Sequence, residues 1–141
     1  MQSTKKQAVI EAGLDQAFGK LSDITQLVLS AYYDRYPEAK IAFGEHGYDQ
    51  VAQLEASMVD SALYFVETWF QQPKEIQETI EGAIPQHESL NIPVPLILGL
   101  LETLLDIIIG SIPSMETKDL EVWEELRLDL KNQIKASSEN P

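Results

Sequence analysis

The chain has no cysteine. That absence excludes disulfides, thiolate metal sites and a thiol nucleophile together. It also excludes thioether attachment, so a haem or bilin would have to be held non-covalently. Cations are scarce too: 10 lysines and arginines stand against 23 aspartates and glutamates, a net charge of −13. No basic cluster interrupts that field, so nucleic acid and anionic lipid are not expected as partners. The acidity reads as solubility and not as an acidic binding face. Glycine-rich phosphate loops, Walker sequences and serines in a nucleophile-elbow context are missing, which leaves hydrolase and nucleotide-enzyme chemistry without residues. Met1–Lys6 is not followed by an apolar core, so a secretory signal is not expected and the protein reads as cytoplasmic. The longest apolar run, Leu96–Ile109, is too short to span a bilayer and carries Glu102 and Asp106 one turn apart. Those two acids mark the wet edge of an otherwise buried helix.

What is present is helical spacing. Its 141 residues suit one domain able to bury a full core, with residues 136–141 as a frayed polar tail. Sustained period-two alternation and hairpin turns are absent, so the expected class is all-α, with about seven helices. The first helix, Thr4 to Lys20, carries Ile10, Leu14, Ala17, Phe18 and Leu21 on one stripe. Ser22 or Asp23 can cap a second, with Ile24, Leu27, Val28 and Ala31 inward. Tyr36-Pro37 ends it, and Pro37 opens a short helix to Phe43. Gly44–Gly47 then reads as a flexible corner. The next helix, Tyr48 to Gln71, has two adjacent apolar stripes, one of Val51, Leu54, Met58, Ala62, Phe65 and Trp69, the other of Val59, Leu63, Val66 and Phe70. So wide an arc implies burial on two sides. After Gln72-Pro73, Ile76, Ile80, Ala83 and Ile84 continue to His87 on one face, and Pro85 is expected to interrupt or kink that helix. Asn91–Pro95 forms a corner before the Leu96–Ile109 helix, which Gly110 and Pro113 close. Ser114 or Thr117 would cap the last helix, with Val122, Trp123, Leu126, Leu130 and Ile134 inward.

Only two histidines occur. His87 lies on an apolar face, where an unsatisfied imidazole is unfavourable. Taken alone, such a histidine is more often a core residue bonded to a backbone carbonyl than a ligand. His46, in a glycine-flanked charged loop, reads as surface. Two histidines so far apart, with no carboxylate at ligand spacing, do not make a zinc site.

His87-x-Ser89-Leu90-x-Ile92, followed by proline and then Leu104-Leu105, resembles the proximal-histidine region of the globins. It is most similar to the single-domain bacterial globins and the globin half of flavohaemoglobins. Upstream, Tyr36-Pro37-Glu38-x-Lys40-x-x-Phe43 is similar to the globin segment that ends in a phenylalanine packed on haem. Downstream, Trp123 falls where those proteins carry a tryptophan early in the last helix. The resemblance covers about Ile24 to Ile134 and implies a globin fold around one pocket for non-covalent haem b.

In that family His87 would be the iron ligand, and Phe43 would stack on the porphyrin. Ile92, Ile97 and Leu100 would line the proximal and edge walls; as plain core residues they would look no different. By helical phase, Leu29, Leu54 and Met58 are distal candidates, and a one-turn shift would bring Gln50 or Gln53 there instead. The distal tyrosine of the flavohaemoglobin-like group is replaced by Leu29, with Tyr32 and Tyr33 a turn later, packing beneath the corner. The tyrosine and glutamate that support the proximal histidine in that group have no clear match; Asp129 and Asn140 fall nearby. The implied function is reversible binding of a diatomic gas (O2, NO or CO) as carrier, scavenger or sensor. Two alternatives stay open: a haem-free globin-like sensor, lipid-binding or interaction domain, and an NO dioxygenase served by an external reductase. A homodimer is compatible with each.

Overall fold

The computed structural model describes residues 2–138. Seven helices follow one another: α1 (Gln2–Lys20), α2 (Ile24–Arg35), α3 (Pro37–Gly47), α4 (Val51–Thr68), α5 (Pro73–Ser89), α6 (Val94–Gly110) and α7 (Thr117–Ala136). The described residues are all helix and connection, with no strand. None of the helices is long and apolar enough to cross a membrane. The all-α expectation therefore holds.

The apolar spacing explains the packing. α6 is the most apolar helix and lies at the centre, touching α1, α2, α4 and α7. Its Leu101, Leu104, Leu105 and Ile108 meet Ile10 and Leu14 of α1, Val28 of α2, Val59 and Val66 of α4, and Trp123, Leu126 and Leu130 of α7 in one buried cluster. Burying each such side chain contributes about 1.5–3 kcal/mol. Two close approaches depend on glycine. A methyl group at Gly13 would sit 2.6 Å from Cζ2 of the fully buried Trp123, and one at Gly99 would sit 2.5 Å from the Tyr36 ring. α3 packs on α2 and α4, whereas α5 packs on α7 and, more lightly, on α4. These two helices flank the space that the core does not fill.

Several local expectations are corrected. α3 runs through the glycines to Gly47, so His46 is helical and not in a loose corner. α4 begins at Val51 because Tyr48 adopts φ 52°, which no helix accommodates, and it ends at Thr68. Pro85 does not interrupt α5, which continues to Ser89. The carbonyl that its missing N–H leaves unbonded belongs to exposed Glu81, where water can take over. Asp23 caps α2, its carboxylate accepting from the Gln26 N–H at 3.2 Å. α7 instead opens after Glu116 with no side-chain cap, so neither Ser114 nor Thr117 serves. Phe18 and Leu27 are 48% and 44% exposed, although both fall on the expected inward stripes. The partners of α1 and α2 cover Ile10–Ala17 and Val28–Tyr32 and stop short of both.

Candidate functional site

Between α3 and α5 lies a cleft of about 540 Å³, within the roughly 300–1,000 Å³ that enclose a small-molecule ligand. Ala39, Ala42, Phe43 and His46 of α3 form one wall. Leu54, Met58, Ser61, Ala62 and Phe65 of α4 continue it. Thr79, Ile80, Ala83, Ile84, Gln86 and His87 of α5 form the opposite wall. Leu96, Ile97, Leu100 and Leu101 of α6, with Leu130 and Ile134 of α7, close the interior, and Tyr32, Leu90 and Ile92 complete it. The two stripes of α4 divide as their spacing predicts: Leu54, Met58 and Phe65 face the cleft, while Val59 and Val66 enter the core.

His87 is fixed by its own helix. Its Nδ1 lies 2.7 Å from the carbonyl oxygen of Ala83, one turn back. With the proton on Nδ1, that bond leaves Nε2 as the basic nitrogen, and Nε2 has no hydrogen-bond partner among the described residues. A structural histidine and a metal-ligating one both use such a carbonyl; only the ligand needs the second nitrogen free beside an open space. The α5 terminus holds the imidazole further. Asn91 sits at φ 62°, its N–H donating to the Glu88 carbonyl at 3.0 Å, and the Ile92 N–H donates to the His87 carbonyl at 3.0 Å. This double closure is a Schellman motif, and it ties His87 to Ile92, another lining residue.

Opposite, Phe43 is set by an edge contact with Tyr33, ring centroids 6.1 Å apart. The Tyr33 hydroxyl donates to Glu55 at 2.6 Å, and the Tyr32 hydroxyl donates to the Leu96 carbonyl at 2.6 Å. Burial pushes both phenols well above the usual tyrosine range; nearby Tyr36 and Glu38 add to the shift at Tyr32, and the Glu55 bond adds to it at Tyr33. Neither hydroxyl is therefore at liberty to donate into the cleft. Among the described residues, Asp, Glu, Lys and Arg contribute nothing to the lining.

Phe43, Leu54, Met58, His87, Ile92, Ile97 and Leu100 thus converge on one cleft. Leu29 does not join them: it is buried in the core, and the cleft is reached from α2 by Tyr32, one turn later. Gln50 and Gln53 are exposed, and Gln53 borders a different, open depression with Asp60 and Tyr64. Asp129 accepts from Trp69 Nε1 at 3.1 Å instead of supporting His87; Asn140 lies outside the described residues. Sequence reasoning missed Tyr32, Ser61, Thr79, Gln86 and, above all, His46. The signal for Thr79 and Gln86 was available, since each neighbours a cleft residue on α5. His46 became visible only once α3 proved long enough to carry it.

Among the described residues no three histidines or acids gather at metal-ligand spacing. The imidazole held in place in the cleft is that of His87, which suits a metal whose other ligands arrive with it. A haem brings four of its own, and Phe43, Ile92, Ile97 and Leu100 supply apolar lining of the kind a porphyrin face would need. Comparison with family models, with curated proteins and with solved structures found no match to this chain.

Proposed function

We propose that the cleft holds haem b non-covalently, with His87 Nε2 as the protein's iron ligand, and that the chain is a globin that binds a diatomic gas reversibly. The observation that carries this reading is the His87 imidazole. It is anchored through Nδ1 to Ala83, has no partner at Nε2 among the described residues and lines an apolar cleft with Phe43. Bound haem would supply the gas-binding iron. The chain's own residues would orient it and exclude water: Ile92, Ile97 and Leu100 from one edge, Leu54 and Met58 from the gas side. The Tyr32 hydroxyl is committed to the Leu96 carbonyl and would not be available to bound oxygen. Without a tyrosine donor, bound oxygen would lack the hydrogen bond by which such a residue slows its release. For that reason an NO dioxygenase working with an external reductase ranks last.

Titration with haemin tests the proposal. A stoichiometric Soret band is expected in the parent chain, and His87→Ala should lose its ligand-sensitive position. A band that His87→Ala leaves unchanged, or no band at all, rejects haem ligation. One observation favours a second reading, a haem-free lipid-binding or interaction domain: the lining is mostly aliphatic and, among the described residues, offers no lysine or arginine to an anionic porphyrin edge. Fatty acid retained through purification, together with no haemin uptake, would establish that alternative.

A further inference from the structure

We infer that His46 is the acid-anchoring residue of the cleft, and that its occupant is an apolar body carrying a carboxylate which emerges beside the end of α3. The inference rests on the cleft being a ligand site; it does not depend on iron. The chain has only two histidines, and both line this one space from opposite walls. His87 is committed by one nitrogen to Ala83. His46 has no hydrogen bond or ion pair among the described residues, yet it is half-buried in the last turn of α3, where an imidazole without a partner is unfavourable. Around it the chain turns out to solvent: Glu45, Tyr48, Asp49 and Gln50 are all exposed, and none of them lines the cleft.

Electrostatics narrows the choice of occupant. An ionised acid approaching a protein of net charge −13 is repelled unless a local donor receives it. Among the described residues, lysine and arginine do not contribute to the lining, so the imidazoles are the only described lining side chains able to carry positive charge. His87 keeps only Nε2 for an occupant, whereas both ring nitrogens of His46 are unbonded among the described residues. The chain around His46 turns out to solvent, so His46 is the side chain placed to meet a carboxylate at the rim while the apolar body fills the interior. A porphyrin propionate and a fatty-acid headgroup present this same chemistry.

Four probes separate the outcomes: metal-free protoporphyrin IX, its dimethyl ester, palmitate and hexadecanol, each followed by quenching of Trp69 and Trp123 fluorescence or by competition. In the parent chain the acid of whichever series binds should be held about tenfold more tightly than its uncharged analogue. His46→Phe should abolish that margin, and His46→Gln should keep part of it. Binding by the porphyrin pair or by the lipid pair identifies the source of the carboxylate. Equal affinity for acid and analogue, or a margin that survives His46→Phe, overturns the role of His46 and leaves the cleft itself standing. If all four probes fail with folded protein, the ligand site and this inference fall together.

Discussion

At the scale of single residues, Tyr32 shows how the site and the fold share their determinants. Its ring packs 5.6 Å from that of Tyr36, whose edge lies over Gly99, and its hydroxyl holds the first turn of α6 through the Leu96 carbonyl. Tyr32→Phe keeps the ring and removes the hydroxyl, so urea denaturation should show a loss of about 1 kcal/mol. The pH dependence has a definite sign. Both Tyr32 and Tyr33 have folded pKa values raised above the unfolded value of about 10. Their contribution is complete below that value and is lost as pH rises from it through the raised folded values, because the unfolded chain releases the protons first. Stability should therefore fall on the alkaline side, less steeply in Tyr32→Phe, and tyrosinate absorbance from these two rings should appear together with unfolding. Two glycine substitutions make a complementary pair. Gly99→Ala drives a methyl into the Tyr36 ring and should destabilise by about 1–3 kcal/mol. Gly82→Ala, in the middle of α5 with open space around it, should stabilise by about 0.5–1 kcal/mol. Equal melting temperatures for these two variants would contradict the close approach at Gly99.

At the scale of elements, the end of α5 decides whether the cleft keeps its shape. Asn91 is in the left-handed region, which asparagine tolerates and a β-branched residue does not. Asn91→Gly should preserve the motif and raise stability slightly, whereas Asn91→Val should lower it by about 1–2 kcal/mol and loosen His87 with it. If Asn91→Val retained the parent's stability and its haemin spectrum, the coupling between terminus and imidazole would be refuted. Much of this wall was readable from the sequence. Ile76, Ile80, Ile84 and His87 recur at helical spacing, and Asn91-Ile92-Pro93 announces a terminus. The double stripe of α4 was equally plain, since an apolar arc that wide has to face two partners. The end of α3 was not readable. Gly44 and Gly47 have the composition of a loop, but contacts with α2 and α4 extend the helix past Gly44 as far as Gly47 and carry His46 to the cleft. Leu29 failed for a related reason. It and Tyr32 lie one turn apart on the same side of α2, and the later of the two reaches the cleft while Leu29 packs in the core. Burial was legible at both positions; which of the two spaces each would fill was not.

For the molecule as a whole, Lys6, Arg35, Arg127 and Lys131 among the few cations join helices through ion pairs. Arg127 of α7, 15% exposed at its side chain, meets Glu102 at 2.6 Å and Asp106 at 2.9 Å on α6. Asp106 also receives Arg35 of α2 at 2.9 Å, and Glu102 receives Lys131 at 3.2 Å. The acids that the sequence suggested as a wet edge of α6 are therefore the node of a three-helix network. Elsewhere the surplus acid is left to repel itself over longer distances. Salt acts on these two effects unequally. Screening at about 0.1 M reaches over roughly 10 Å, so it weakens diffuse repulsion among exposed carboxylates more than it weakens the short, half-buried Arg127 contacts. Stability in urea should consequently increase as sodium chloride is raised from low concentration towards physiological. Arg127→Met makes the comparison sharper. It leaves Glu102 and Asp106 facing each other one turn apart with less countercharge, and should destabilise by about 1–3 kcal/mol at low salt, a range reduced for the partial exposure of both acids. Part of that loss should return with added salt, because the new repulsion is itself screened. A parent chain that weakens as salt rises would mean that the local ion pairs outweigh the global charge, and an Arg127→Met deficit independent of salt would mean that the guanidinium stabilises chiefly by packing its stem between α6 and α7.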